Sequence, residues 1–168
     1  MGIENLKMRK STHNDKEYLI DLLNLCFLEI SYNEALINLD NRYYLCIDES
    51  NNMIIAMTGI YEDTQLGGLR LDWTCTHPKY KNQGILYELV KEMLNNMDTY
   101  NRKMYCSCWN LVHDDELNMV KLFRSFGLNC VMKAEKALNI HKNCKYKTVC
   151  KNYKTTKCKC LDDIFNNV

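Results

Sequence analysis

Between Leu66 and Met97 the apolar residues change their period across a short polar loop, and this change constrains the fold more than any other feature of the 168-residue chain. Leu66 to Thr76 is rich in β-formers and stops at Pro78, the only proline, which has no N–H for a sheet ladder and restricts the residue before it. Beyond the loop Lys79 to Gly84, the residues Ile85, Leu86, Leu89, Val90, Met93, Leu94 and Met97 fall on one face of a helix. The order is strand, loop, helix. A loop rich in free backbone N–H groups that feeds a helix N-terminus is an anion site, suited to a pyrophosphate, and Gly84 lets the backbone approach a ligand closely. The alternative is an ordinary strand-to-helix turn in which Gly84 serves only as a helix start.

The flanking sequence supplies the remaining elements. Tyr18, Leu19, Leu22, Leu23, Cys26, Phe27 and Ile30 repeat at helical spacing, and the helix is expected to open at Thr12 or Asn14, with Asn14 and Glu17 as a capping box. Tyr43 to Ile47 and Met53 to Tyr61 read as an antiparallel hairpin across the turn residues Asp48-Glu49-Ser50-Asn51-Asn52. Lys103 to Trp109 reads as a strand. Asp114-Asp115-Glu116 opens a helix that runs through Phe126 and is stopped by Gly127. Two strands, about Asn129 to Ile140 and Lys145 to Lys154, are expected to close the chain. Neither an internal repeat nor a Pro/Gly/Ser linker marks a second domain, so the expectation is one domain over residues 1–168, an α/β sandwich on a mixed sheet.

Charge narrows the partners. With 22 Lys+Arg against 21 Asp+Glu the formal charge is +1, so no global field draws the chain to nucleic acid or an anionic membrane. The segment MGIENLKMRK has no apolar signal core, and no stretch reaches the ~18 apolar residues of a membrane span, which gives a cytoplasmic reading. On that reading the 10 cysteines are reduced thiols. Cys144, Cys150, Cys158 and Cys160 crowd near His141, but the spacing holds no CxxC pair; incidental cysteines are favoured over a zinc site, and no metal is expected. His13, His77, His113 and His141 read as loop histidines, Cys106 and Cys108 as sheet residues, and Trp73 and Trp109 as packing residues.

The run Leu71-Asp72-Trp73-Thr74-Cys75-Thr76-His77-Pro78-Lys79-Tyr80-Lys81-Asn82-Gln83-Gly84-Ile85-Leu86 resembles the signature of the GNAT superfamily of N-acetyltransferases, a strand ending in V-x-P followed by [QR]-x-x-G-x-[GA]. Lys121-Leu122-Phe123-Arg124-Ser125-Phe126-Gly127-Leu128 is similar to that family's later LYEKLGF element. The resemblance covers nearly the whole chain. It implies a mixed, mostly antiparallel central sheet of about six to seven strands with helices on both faces, and an acetyl-CoA-dependent N-acetyltransferase acting on a small-molecule or peptide amine. Family members are often dimers, so a homodimer is a further expectation.

By this resemblance the N–H groups of Asn82, Gln83, Gly84, Ile85 and Leu86 hold the CoA pyrophosphate, with Lys81 adding positive charge, and Asn110 contacts the cofactor. Lys81 stands where Arg or Gln is usual, and Leu86 where Gly or Ala is usual. Cys75 and Thr76 main-chain groups are expected to pair with the pantetheine arm, and an N–H near Cys75 to polarise the thioester. Asp72 is the base candidate, sharing a strand face with Arg70, Thr74 and Thr76; its alternative role is a pair with Arg70 or a lysine. The family's usual acid, a Tyr, falls at Phe123, which cannot donate a proton; Tyr87 or water are alternatives. Acceptor choice would come from about Glu29 to Arg42, with Glu29, Glu34 and Asp40 attracting a cationic amine, or else forming a solvated acidic loop. A second reading, motivated by Lys81, Leu86 and Phe123, is a catalytically silent acyl-CoA-binding or interaction module.

Overall fold

A computed structural model describes residues 5–27, 42–64, 67–97, 102–110, 118–135 and 161–166. They divide between two compact units, one from Met1–Glu62 and Arg70–Arg102, the other from Asp63–Leu69 and Lys103–Val168.

In the first unit, β1 (Leu6–Lys10), β2 (Tyr43–Asp48), β3 (Met53–Asp63) and β4 (Gly68–Thr76, assigned here from Arg70) lie in that order. β2 is antiparallel to both β1 and β3. All six β2 residues are buried, as their unbroken run of Tyr-Tyr-Leu-Cys-Ile-Asp requires of a strand covered on both faces. Its odd-numbered side chains, Tyr43, Leu45 and Ile47, form the core with Leu19, Leu22 and Leu23 of α1 (Lys16–Phe27), joined by Ile54, Met57 and Cys75. A register shift beyond Cys46 matches Leu45 to Met57 but Ile47 to Ile54; the bulged Ile55 is what keeps both apolar pairs on the α1 side. The other face of β2 meets α2 (Ile85–Asn95), which buries Ile85, Leu89, Val90 and Met93. Truncating a fully buried leucine such as Leu23 or Leu89 to alanine would cost about 2 to 5 kcal/mol.

In the second unit β5 (Met104–Asn110), β7 (Leu161–Asn166) and β6 (Asn129–Glu135) lie in that order, with β7 antiparallel to both neighbours. α3 (Asn118–Ser125) packs on β5 and buries Phe123.

The hairpin, α2 and the Gly127 stop form as the sequence predicts, and three expectations are corrected. First, Leu6–Lys10 is a strand; its alternation of Leu6 and Met8 with Lys7 is only five residues long, and pairing with β2, from Leu6 opposite Asp48 to Lys10 opposite Tyr44, stabilises what local pattern alone does not declare. Second, of the two expected starts of the first helix the structure takes Thr12, and the capping box is Thr12 with Asp15 in place of Asn14 with Glu17. Thr12 precedes a 3-10 turn, His13–Asp15, and the Asp15 carboxylate accepts the Thr12 N–H at 2.6 Å and its hydroxyl at 2.9 Å. Arg9 also favours Asp15, reaching both carboxylate oxygens at 2.7 Å, a bidentate geometry that holds the carboxyl down at about 2. Third, the last of the described strands is Leu161–Asn166, an element the sequence did not announce; the strand expected over 145–154 and the cysteine cluster with His141 lie outside the described residues and are not tested. Among the described residues no helix is long and apolar enough to cross a membrane.

Candidate active site

The end of β4 and the start of α2 are joined by a segment with unusual backbone geometry. His77 donates its N–H to Ile55 O at 2.7 Å, the last bond of β4 to β3. Pro78–Tyr80 then form a 3-10 turn in which His77 Nδ1 accepts the Lys79 N–H at 3.2 Å and His77 O accepts the Tyr80 N–H at 2.9 Å. Burial and the charge of Lys79 lower the His77 pKa, which favours the neutral ring whose Nδ1 accepts the Lys79 N–H. Lys81 is extended, whereas Asn82 (φ 62°) and Gly84 (φ 76°) are both left-handed. Asparagine and glycine are the residues that adopt this conformation at least cost, so the loop shape is written in its residue types.

Gly84 is the N-cap of α2 and offers no side chain to its first turn. The N–H groups of Ile85 and Leu86 therefore have no intrahelical acceptor and carry the positive end of the helix dipole. A Cβ built on Gly84 meets nothing within 4 Å, so the space over the loop is open on the protein side. From His77 to Leu86 the sequence has no acidic residue and two lysines, Lys79 and Lys81. Lys81, Asn82, Gln83 and Gly84 are exposed, Ile85 is buried as the anchor of α2, and Leu86 is half-buried. This arrangement can bind an anion through backbone donors and lysine charge.

β4 ends beside α1. Cys75 is buried in the core, and Cys26 of α1 donates its thiol to Thr76 O at 3.3 Å. The Cys26 thiol beside it and burial both push the Cys75 thiol well up, with Lys81 charge opposing them. Because His77 points its N–H to β3, alternation directs the main-chain groups of Cys75 to β3 as well and those of Thr76 to the opposite edge. Thr74 shares its hydroxyl with Thr58 at 2.9 Å, on the same antiparallel register. Trp73, packed against the core, has φ 43°, an outlying conformation for a bulky strand residue. The two-residue period linking Arg70 and Asp72 to Thr74 and Thr76 therefore does not run through it unbroken.

Asp72 lies in β4 and Asn110 ends β5 opposite Leu161, but the side chains of both lie outside the described atoms, as do residues 28–41, with Glu29, Glu34 and Asp40. Phe123 is 4% exposed and Tyr87, in the first turn of α2, is 39% exposed. The sequence reading missed one cluster. The buried Asp48 carboxylate accepts from the Tyr80 hydroxyl (2.9 Å), the Ser50 hydroxyl and N–H, and Asn51 Nδ2 (3.2 Å). These hydrogen bonds, Ser50 first, lower its pKa. Asp48 and Tyr80 are 32 positions apart, and no local pattern announces such a pair.

No family model and no curated protein sequence matches the chain. Solved structures do. The ribosomal-protein-S18-alanine N-acetyltransferase of Escherichia coli aligns at a TM-score of 0.67 and 12% identity, over 96% of this chain and 92% of that one. NAA60 of Arabidopsis thaliana, in complex with a bisubstrate analogue, aligns at 0.68 and 15% over 96% and 97%. A GNAT family acetyltransferase of Elizabethkingia anophelis with acetyl-CoA bound aligns at 0.62 and 19% over 97% of each chain. Likeness at such identities speaks to architecture, and on that evidence the chain has the mixed, mostly antiparallel α/β fold of the GNAT acetyltransferases.

Proposed function

We propose that the protein is an N-acetyltransferase that moves the acetyl group of acetyl-CoA to a primary amine. The observation that carries this reading is the loop Lys81–Gly84: free of acidic residues, left-handed at Asn82 and Gly84, open above Gly84, and leading into a helix whose first N–H groups have no intrahelical partner. Acetyl-CoA supplies an activated thioester when bound, and its anionic pyrophosphate suits the backbone donors and lysine charge of this loop. The acetyl-CoA bound to the similar fold from Elizabethkingia anophelis supports the same choice of donor.

In this reading Asn82, Gln83, Gly84, Ile85 and Leu86 bind the pyrophosphate through main-chain N–H groups, and Lys81 adds a point charge. Thr76, whose main-chain groups face away from β3, pairs with the pantetheine arm, and its carbonyl keeps a second lone pair beside the weak thiol bond from Cys26. Because the main-chain groups of Cys75 face β3, the N–H that polarises the thioester is one near Cys75 and not its own, and Asn110 contributes through a contact to the cofactor. Asp72 removes the proton that the attacking amine must lose, directly or through water. Attack is direct, with both substrates bound together: the amine nitrogen bonds to the acetyl carbon, the C–S bond breaks, and CoA leaves as the thiolate, protonated through water or by a tyrosine such as Tyr87; the bisubstrate analogue held by NAA60 supports a ternary complex. The acceptor is a small-molecule or peptide amine.

The test is product detection by mass after incubation with acetyl-CoA and a panel of peptide N-termini, lysine peptides and small amines. Colorimetric thiol reagents are avoided because the chain carries 10 cysteines. An acetylated amine, with kcat reduced about 100-fold in Asp72→Asn, is the expected outcome. One observation favours a second reading: Phe123, at the position where the family's acid is usual, is a buried packing residue. Acetyl-CoA binding without turnover on any amine would favour a silent binding module.

A further inference from the structure

The segment that carries the anion-binding backbone is tied to the sheet by one side chain. Tyr80 closes the 3-10 turn, and only the extended Lys81 separates it from the first of the two left-handed positions, Asn82 and Gly84. Its hydroxyl donates to Asp48 Oδ2 at 2.9 Å and receives Asn51 Nδ2 at 3.3 Å. Asp48 is fixed in turn, since it pairs with Leu6 of β1 and Met53 of β3 and closes the β2–β3 turn through Ser50 and Asn51. The Tyr80 ring also stands edge-on to His77, 5.6 Å between centroids. A backbone held in the left-handed region at two of three consecutive residues keeps one geometry only where its surroundings hold it there.

We infer that the Tyr80 hydroxyl, gripped by Asp48 and Asn51, is a positioning group that sets the geometry of the phosphate-binding loop. The inference rests on the acetyl-CoA reading for its functional consequence. Tyr80 does not touch the ligand in this account; it holds the loop so that the N–H groups from Asn82 to Leu86 need not be ordered during binding, which lowers the entropic cost of association. Removing the hydroxyl leaves Asp48 bonded to Ser50 and Asn51, so Tyr80→Phe does not strand a buried charge.

Two measurements on Tyr80→Phe test this. Calorimetric titration with CoA is expected to show a Kd raised about 5- to 10-fold, the KM for acetyl-CoA rising in parallel and kcat staying within about 2-fold. Asp48→Asn, which keeps an acceptor for the hydroxyl, is expected to lose only about 2- to 3-fold. Asp15→Asn, which breaks the distant Arg9 pair, serves as a stability control and leaves Kd unchanged. In the ligand-free protein, backbone amide order parameters at residues 81–85 are expected to fall from about 0.85 to below about 0.7 in Tyr80→Phe. Order parameters that stay at wild-type values overturn the inference, as does a Kd that stays put while stability falls as in the control. Wild-type protein that ignores CoA overturns the acetyl-CoA reading instead, and the order parameters still decide whether Tyr80 sets the loop.

Discussion

Gly84 and Gly127 have nearly the same backbone conformation, φ 76° and φ 77°, and neither would crowd an added Cβ. They stand at opposite ends of helices, and there the likeness stops. At Gly127 the chain closes on itself: the Gly127 N–H reaches Arg124 O at 3.0 Å, the Leu128 N–H reaches Phe123 O at 3.1 Å, and Leu128 and Phe123 are both buried, the hydrogen bonds and apolar residues of a Schellman cap. At Gly84 the helix begins with no side-chain cap, and the N–H groups of Ile85 and Leu86 have no intrahelical acceptor. A left-handed glycine after a helix satisfies the terminal carbonyls, whereas one before a helix leaves the terminal N–H groups for a ligand. The start of α1 sharpens the contrast, because there Asp15 takes up the Thr12 N–H. One helix start is closed by its own carboxylate and the other carries no side-chain cap.

The comparison can be broken by substitution. The largest stability effect is expected at the closed end, where Phe123→Ala removes the buried ring of the Gly127 cap; about 3 to 5 kcal/mol should be lost in urea unfolding. Asp15→Asn comes next, at about 2 kcal/mol at pH 7, since the carboxylate of this nearly buried group serves both Arg9 and the cap. The pH dependence has a definite sign. The folded-state pKa of about 2 lies below the ordinary 3.8, so the contribution is complete above about pH 5 and fades as pH falls through 4 towards 2. Wild-type and variant stabilities should therefore converge in acid, and a gap that persists at pH 2 would remove the carboxylate from the account. Smallest are Gly84→Ala and Gly127→Ala, each about 1 kcal/mol from the left-handed backbone and about 2 to 4 °C in Tm. Only Gly84→Ala should also weaken CoA, by about 10-fold, because it places a methyl group in the open space above the loop. Equal loss of CoA affinity in both variants would dissolve the distinction between the two glycines.

What was legible in the sequence follows from range. The hairpin across Asp48–Asn52, the α2 stripe, the loop Lys79–Gly84 and the Gly127 stop each declare themselves within about ten residues, through periodicity or turn residues. The strand Leu6–Lys10 did not, since five residues of weak alternation need a partner strand to become a strand. The helix start was legible only as Thr12 or Asn14, because Thr12–Asp15 and Asn14–Glu17 both fit a capping pattern, and Arg9, which a local pattern does not consult, favours Asp15. In the site, the loop residues were legible as types, while the Tyr80–Asp48 and Cys26–Thr76 contacts span 32 and 50 positions and exist only after folding. The positive φ of Trp73 has no sequence signal, since a bulky aromatic in a strand favours the opposite.

The central claim is that the open helix start at Gly84 takes the pyrophosphate of acetyl-CoA. Calorimetric titration of acetyl-CoA into the reduced protein, beside Gly84→Glu, tests it most directly. Saturable binding in the wild type, reduced at least about 100-fold by a carboxylate placed among the phosphate donors, is the predicted result. Equal affinity in the two proteins would place the cofactor elsewhere, and no binding in either would contradict the acetyltransferase account and leave the fold without that function.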